Sequence, residues 1–460
     1  MIVLNKADAV IELFDKRGAI YSHRQETYLV NELLCLGEAH ILLMGYTATW
    51  RKIRKIFMSM LNIRAVKRLR PIQEAESSQM MKELCENPDL FRNHLRRYAT
   101  SVVLSCVFGQ RSASYDDERI QSIFAVQGRF TSILEPGNFP PVDEFPVLKY
   151  MPELLAPWKT RAIQIRKDQR ADHLRLLHDV KKRIEQGVEI ECLMDTLLSD
   201  DNDELNGLDE LQVAYIGGVM LEAGADTTSA LLLSFILAMI KFPNVLARAQ
   251  KEVDEVCGTK RSPTFDDMDN LPYIRACVLE TSRWRPVNPG SFPHVSTQDD
   301  WYKGYFIPKG STVISNNLAI HYNEEDYDNP SEYRPERYLE NEFGTKTVLD
   351  SDASKSRRAV YSFGAGRRVC PGIHLAENSL EINMAKLVWG FNFLPPLDPT
   401  TNIPVPLDDV DVAYQSAYSD GFTSCAKPFK CRIIPRSDEH AQVMQRDFEA
   451  SATLFQKYTH

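Results

Sequence analysis

A chain of 460 residues that is 43% hydrophobic has ample material for a large core, and 25% charged residues with a formal net charge of −9 describe a globular protein rather than a disordered one. That acidic balance excludes a general affinity for nucleic acid or an anionic membrane surface. Nine cysteines, odd in number and without a repeated spacing, exclude a disulfide scaffold and point to a reducing compartment.

The first residues, MIVLNKADAVIELFDKRG, mix charge into a helical apolar pattern and so make neither a signal peptide nor a membrane anchor. Three- and four-residue apolar spacing predicts further helices from Trp50 to Met60 and over 161–187, making the N-terminal two thirds mostly α. Proline-rich breaks at 136–157 and glycine-acidic loops at 200–210 separate helical blocks rather than domains, and no internal repeat is visible. The run SALLLSFILAMI at 229–240 falls short of the roughly 20 residues that cross a bilayer and reads as a buried helix. From 286 onward the texture changes to short β-prone runs, with YKGYFIPKG reading as a tight hairpin. The expected fold is one mainly α domain with a small β component over 1–436, followed by a polar, weakly helical surface tail over 437–460.

Three stretches carry candidate chemistry. Between Trp50 and Ile72 lie eight Lys or Arg and no acid, either a solvated helix face or a docking surface for an acidic partner. LEAGADTTS at 221–229 places an acid and hydroxyls inside a long apolar helix, costly unless they have a task or the threonines bond back to main-chain carbonyls. FGAGRRVCPG at 363–372 sets a lone cysteine after Arg367 and Arg368 and ahead of a helix, where cations and a helix N-terminus favour thiolate. Its glycines allow a tight turn and close approach to a flat ligand, and Pro371 suits a helix start. Three uses remain open for that thiolate. Zinc would need about four ligands, with His374, Cys425 and Cys431 as the others available. A nucleophile would need a base such as His374 or His294. An axial ligand to haem iron needs one cysteine, close backbone approach and cations for the propionates.

FGAGRRVCPG resembles the haem-binding signature of the cytochrome P450 family, F-x-x-G-x-R-x-C-x-G, with Phe363, Gly366, Arg368, Cys370 and Gly372 in all five fixed positions. LEAGADTTS resembles the family's oxygen-activation motif; by that resemblance Gly224 opens space for dioxygen, and Asp226 and Thr227 relay protons. Glu280 and Arg283 in LETSRWRP, with Arg337 in PERY, resemble the structural Glu-x-x-Arg triad behind the haem. WRKIRK resembles the W-x-x-x-R helix, so Trp50 and Arg54 are expected at a propionate, with Arg368 and His294 as further candidates.

The resemblance runs over about residues 5–436 and is closest in wording to fungal microsomal members. It implies the P450 fold, haem b held through Cys370, and oxygen insertion into a hydrophobic small molecule in secondary metabolism. Oxidative coupling, desaturation or rearrangement is the alternative, and a remnant without haem the second. Electrons are expected from NADPH through a flavoprotein reductase, with cytochrome b5 as a further donor, docked on some of Arg51, Lys52, Lys55, Lys67 and Arg68 of a monomer. Substrate walls are expected at 30–46, 123–140, 215–227, 287–292 and 418–422. Such members carry an anchor and lie on the cytoplasmic side of the endoplasmic reticulum. This chain opens near their second helix, so a truncated or a soluble form is expected.

Overall fold

The computed structural model describes residues 1–36, 39–135, 137–199, 203–346, 357–421 and 423–458. A short strand, β1 (Ile2–Leu4), leads into helical turns over 7–21 and then to α1 (Ala48–Met60), α2 (Arg70–Glu86), α3 (Phe91–Phe108) and α4 (Glu118–Leu134). After the proline-rich stretch, which holds short 3₁₀ turns at Pro146–Tyr150 and Glu153–Leu155, come α5 (Pro157–Glu185), α6 (Glu210–Lys241), α7 (Pro243–Cys257) and α8 (Pro272–Trp284). The strands β2 (His294–Val295), β3 (Asp300–Tyr302), β4 (Tyr305–Ile307) and β5 (Thr312–Ser315) follow, then α9 (Ile373–Gly390), β6 (Phe391–Leu394), β7 (Arg432–Pro435) and α10 (Asp438–Ala450).

Local chemistry accounts for the boundaries. Asp209 and Gln212 exchange side-chain and backbone hydrogen bonds in a capping box that starts α6. Thr47 caps α1 by accepting from the Trp50 amide at 3.1 Å. Gly109, at φ +68°, turns the chain out of α3 by returning its N–H to Ser105. Proline opens α5, α7 and α8, where a missing N–H costs nothing.

The long helix α6 is the axis of the core and packs against α3, α5 and α9. Its 32 residues are apolar enough by composition to cross a membrane, yet most of them are buried inside the protein. β5 pairs parallel with β1 and antiparallel with β2, so the N-terminal strand is stitched to a partner some 310 residues away (Ile2 opposite Val313). The hairpin read in YKGYFIPKG is β3–β4, and its two-residue turn holds Lys303 and Gly304 at φ +48° and +84°, the twist that matches antiparallel strands. A second cluster of Leu13, Phe14, Tyr21, Val313, Tyr361 and Ala365 packs the N-terminal segment onto the cysteine loop.

The expectation of a surface tail over 437–460 needs correction where the chain is described. α10 is capped by Ser437 and buries His440, Val443 and Met444, and Phe455 is buried beyond it. The pattern is amphipathic with few apolar residues, so its polar face dominated the reading while its apolar stripe covers α2.

Candidate active site

Two glycines shape the cysteine loop. Gly364 and Gly366 sit at φ +77° and +65°, and a Cβ on Gly366 would lie 2.2 Å from the Phe14 carbonyl oxygen, a backbone contact that cannot give way. The Gly366 amide donates to Asp15 at 2.7 Å, and Asp15 is paired with Arg358. The Cys370 amide then closes the loop on the Phe363 carbonyl at 2.8 Å, and Gly372 leads directly into α9. Cys370 itself is half-buried at the end of a groove of 560 Å³ that Met58, Leu61, Arg64, Pro371 and His374 also line. Burial pushes its thiol up, while the Gly372 backbone N–H and Arg54 pull the other way. Arg367 and Arg368 do not act on the sulfur as expected: Arg367 reaches Tyr46, and Arg368 turns to the carbonyls of Ser22, Ile41 and Met44. A metal cation at the sulfur would remove the remaining proton.

The other haem candidates gather beside this loop, with changed parts. Arg54 donates to the Val369 carbonyl and stays near Cys370. Trp50 does not offer its N–H to a ligand: Nε1 donates to the Ile41 carbonyl at 3.1 Å, and the ring lies under Arg368 at 4.2 Å. His294 also falls out as a donor. Its Nδ1–H is given to the Tyr21 carbonyl, its ring stacks on Phe14 at 4.0 Å, and burial with Arg24 and Arg368 nearby drives its pKa well below 6.5, leaving Nε2 unprotonated. Arg24, which no motif in the sequence singles out, joins the cluster and donates to the carbonyls of Leu42, Phe292 and Pro293.

Burial pulls the Arg24 guanidinium down to about 9, and burial together with Arg24 and Arg54 pulls Arg368 down to about 8. Among the described residues, none of Arg24, Arg54 and Arg368 has a carboxylate near enough to offset that. Buried cations without anions are costly unless a ligand brings them. This is the test that haem meets, since its two carboxylates supply the missing charge beside a single soft sulfur ligand. Among the described residues no three His, Cys, Asp or Glu side chains converge on a common metal position, so the zinc alternative has no ligand set.

The helix above is accessible where its motif lies. α6 is buried over 213–221 and 228–240, but Ala223 is exposed and Gly224, Asp226 and Thr227 are half-buried. α9 is half-buried over 373–377 and, apart from Glu381, buried from Asn378 on. Thr227 Oγ1 donates to the Ala223 carbonyl at 2.7 Å, the back-bond that bends helices. Asp226 is pushed up by burial and by Glu222, against Arg96. Gly224 does not open space for a gas molecule as expected: a Cβ there would meet Val103 of α3 at 2.6 Å, so the glycine serves close helix packing.

The structure brings Glu280, Arg283 and Arg337 together at 0 to 1% side-chain exposure. Arg283 donates to both Glu280 oxygens at 2.7 and 2.8 Å, and Arg337 donates to the same carboxylate at 3.1 Å. Carbonyls of His321, Pro330 and Glu332 take the remaining Arg283 protons and that of Asp328 accepts from Arg337, tying residues 321–332 to α8. Of the basic run, Arg51, Lys55, Arg64, Lys67 and Arg68 are exposed and Lys52 is half-buried. Of the expected substrate walls, 37–38, Pro136 and Phe422 lie outside the described residues.

The same architecture occurs in a zebra fish cytochrome P450 solved with progesterone, at a TM-score of 0.73 and 24% identity over 94% of this chain and 93% of that one. Residues 1–411 match the Cytochrome P450 family. A cytochrome P450 monooxygenase of Arthrobotrys oligospora is 37% identical over 100% of this chain and 85% of its own length, and one of Aspergillus niger is 38% identical over 98% and 84%. A third, from Aspergillus clavatus, is 36% identical over 99% and 84%. The fold is thus that of a cytochrome P450. The chain belongs to the cytochrome P450 family and is a cytochrome P450 monooxygenase, which implies haem, a reductase and a small-molecule substrate.

Proposed function

We propose that this protein hydroxylates a hydrophobic small molecule in a fungal secondary-metabolite pathway, and that the Cys370 sulfur would hold the iron of haem b. The observation that carries the reading is the carboxylate-free cluster of buried Arg24 with half-buried Arg54 and Arg368 beside the Cys370 loop. These arginines would face the propionates, with Trp50 stacked under Arg368 to hold it and His294 kept neutral behind it. Phe363, Gly366 and Gly372 would let the loop come close to haem, and Glu280, Arg283 and Arg337 would hold the chain before that loop against α8.

When bound, thiolate-ligated haem supplies oxygen activation and insertion of one oxygen atom into a C–H bond. The chain's own part is to orient substrate and move protons. Asp226, whose carboxyl is held above its usual range by burial, can keep a proton and release it toward Thr227. The Thr227 hydroxyl gives its own proton to Ala223, so its oxygen lone pairs remain free to accept the next one. Electrons come from NADPH through a flavoprotein reductase, with cytochrome b5 as a further donor, docked on the exposed face of Arg51, Lys55, Lys67 and Arg68. The protein acts as a monomer, and a fuller form carrying an anchor would lie on the cytoplasmic side of the endoplasmic reticulum.

The test is the carbon-monoxide difference spectrum of the reduced, purified chain. A thiolate-shifted Soret band, lost in Cys370→Ala, is expected; an unchanged band in that variant sinks the ligand assignment, and no band in the wild type leaves a protein that does not hold haem.

A further inference from the structure

Glu222 lies one helical turn before Asp226 on α6, so the two carboxyl groups share a face of the helix. Only 13% of its side chain is exposed, and it is surrounded by groups that can pass a proton. Its Oε1 accepts from Gln169 at 2.7 Å and stands 3.2 Å from Nε2 of His173, both on α5, while Oε2 is 3.5 Å from Nε2 of His40. Tyr215 donates to the other end of Gln169 at 3.0 Å, and Gln127 of α4 donates to the Glu222 carbonyl at 2.7 Å. Cys35, Tyr215 and Arg170 complete its charged and titratable surroundings, and Arg96 faces Asp226 from α3.

The helix is notched for this arrangement. A Cβ on Gly218 would lie 2.3 Å from the His173 ring, so only glycine lets the imidazole sit against α6. Packing alone would be served by an apolar side chain, and burying an imidazole with a free nitrogen is costly. His173 Nδ1 and Gln127 Oε1 have no hydrogen-bond partner, and both residues line a cavity of about 10 Å³, the size of one water. Asp172 lines the same cavity, and its partly exposed carboxylate is held by Arg175.

We propose that this cavity, His173 and Glu222 form a proton entry route that recharges Asp226 from solvent. The proposal rests on the monooxygenase reading above. His173 takes a proton at Nδ1 and releases the one at Nε2 to Glu222 Oε1, after which the ring returns to its first tautomer; one proton enters for each that leaves. Glu222 passes it along the shared helix face to Asp226. Each hydroxylation consumes two protons, since O₂, two electrons from the reductase, two protons and R–H yield R–OH and water.

The test uses the full-length, haem-loaded chain as Glu222→Gln, with His173→Gln as a second variant should the first fold poorly. With NADPH, purified reductase and no added substrate, the fraction of consumed oxygen released as hydrogen peroxide is measured across pH. An increase of about threefold or more is expected in both variants, with haem content and carbon-monoxide band unchanged. A second readout needs no turnover: infrared difference spectra against the matching Asp226→Asn variants follow the Asp226 carboxyl, which should titrate at lower pH once the Glu222 charge is gone. A wild-type peroxide fraction or an unmoved Asp226 titration in Glu222→Gln overturns the route. If the wild type itself shows no thiolate-shifted band, the monooxygenase reading fails and takes the route with it, whereas a normal band with unchanged peroxide release overturns the route alone.

Discussion

Glu280 accepts from Arg283 through both oxygens and from Arg337 at the same time, in a site that water does not reach. One carboxylate between two guanidiniums leaves a net positive charge that four main-chain carbonyls absorb, so removing the carboxylate strands two buried cations. Breaking such a pair costs about 3 to 5 kcal/mol. Glu280→Gln is therefore expected to lower the melting temperature and the haem content together, and a variant that melts as wild type with full haem would contradict a structural role. This triad was legible in the sequence because its first two members are three apart on a helix and its third lies in a recognisable PERY segment. Arg24 was not legible, since a single arginine in YSHRQE acquires its meaning only from Arg368 and His294, more than 260 residues away.

At the scale of elements, the segment that carries the cysteine loop is fastened to α8 through His321. Its Nε2 accepts from the Tyr361 amide at 2.8 Å, and nearby the Ser362 hydroxyl donates to the Ser282 carbonyl at 2.6 Å. Burial, with Arg283 and Arg357 adding, pulls the His321 pKa down to about 3. A histidine depressed in the folded state binds its proton first when unfolded, so the stability it supports is complete above about pH 6.5 and is lost as the pH falls toward 3, by up to about 1.4 kcal/mol per pH unit. His321→Gln should thus give a shallower fall in melting temperature between pH 6.5 and 4 than the wild type; an equally steep fall would assign acid lability to other groups. The hairpin β3–β4 was readable because Lys-Gly between aromatic residues is a local signal. The packing of α10 was not, because a helix with a narrow apolar stripe looks like a tail until α2 is beside it.

Across the whole molecule the charge is unevenly placed. The net charge is −9, yet Arg51, Lys55, Arg64, Lys67 and Arg68 are exposed, and Arg64 lines the groove that reaches Cys370. Such a local field steers an acidic partner and weakens with salt as the Debye length falls from about 10 Å at 0.1 M to about 3 Å at 1 M. The double variant Lys67→Glu, Arg68→Glu should slow reduction by NADPH and reductase several-fold at low ionic strength while leaving reduction by dithionite unchanged. Equal rates with the reductase would move the docking surface elsewhere.

The sequence alone determined the chemistry that is written locally. The cysteine loop, the acid and hydroxyl of α6, the Glu280 and Arg283 pair and the helices over 50–60 and 161–187 depend on residues within one or two turns of each other, where spacing translates directly into geometry. Tertiary structure decided which way the side chains turned. Trp50 gave its ring N–H to Ile41, Arg368 turned to three carbonyls, Gly224 admitted Val103, and Glu222 met His173 in a notch made by Gly218. The physical reason is that a buried polar group must find a partner wherever the fold brings one, and the partners here lie from nine to more than three hundred residues apart in segments that no local pattern connects.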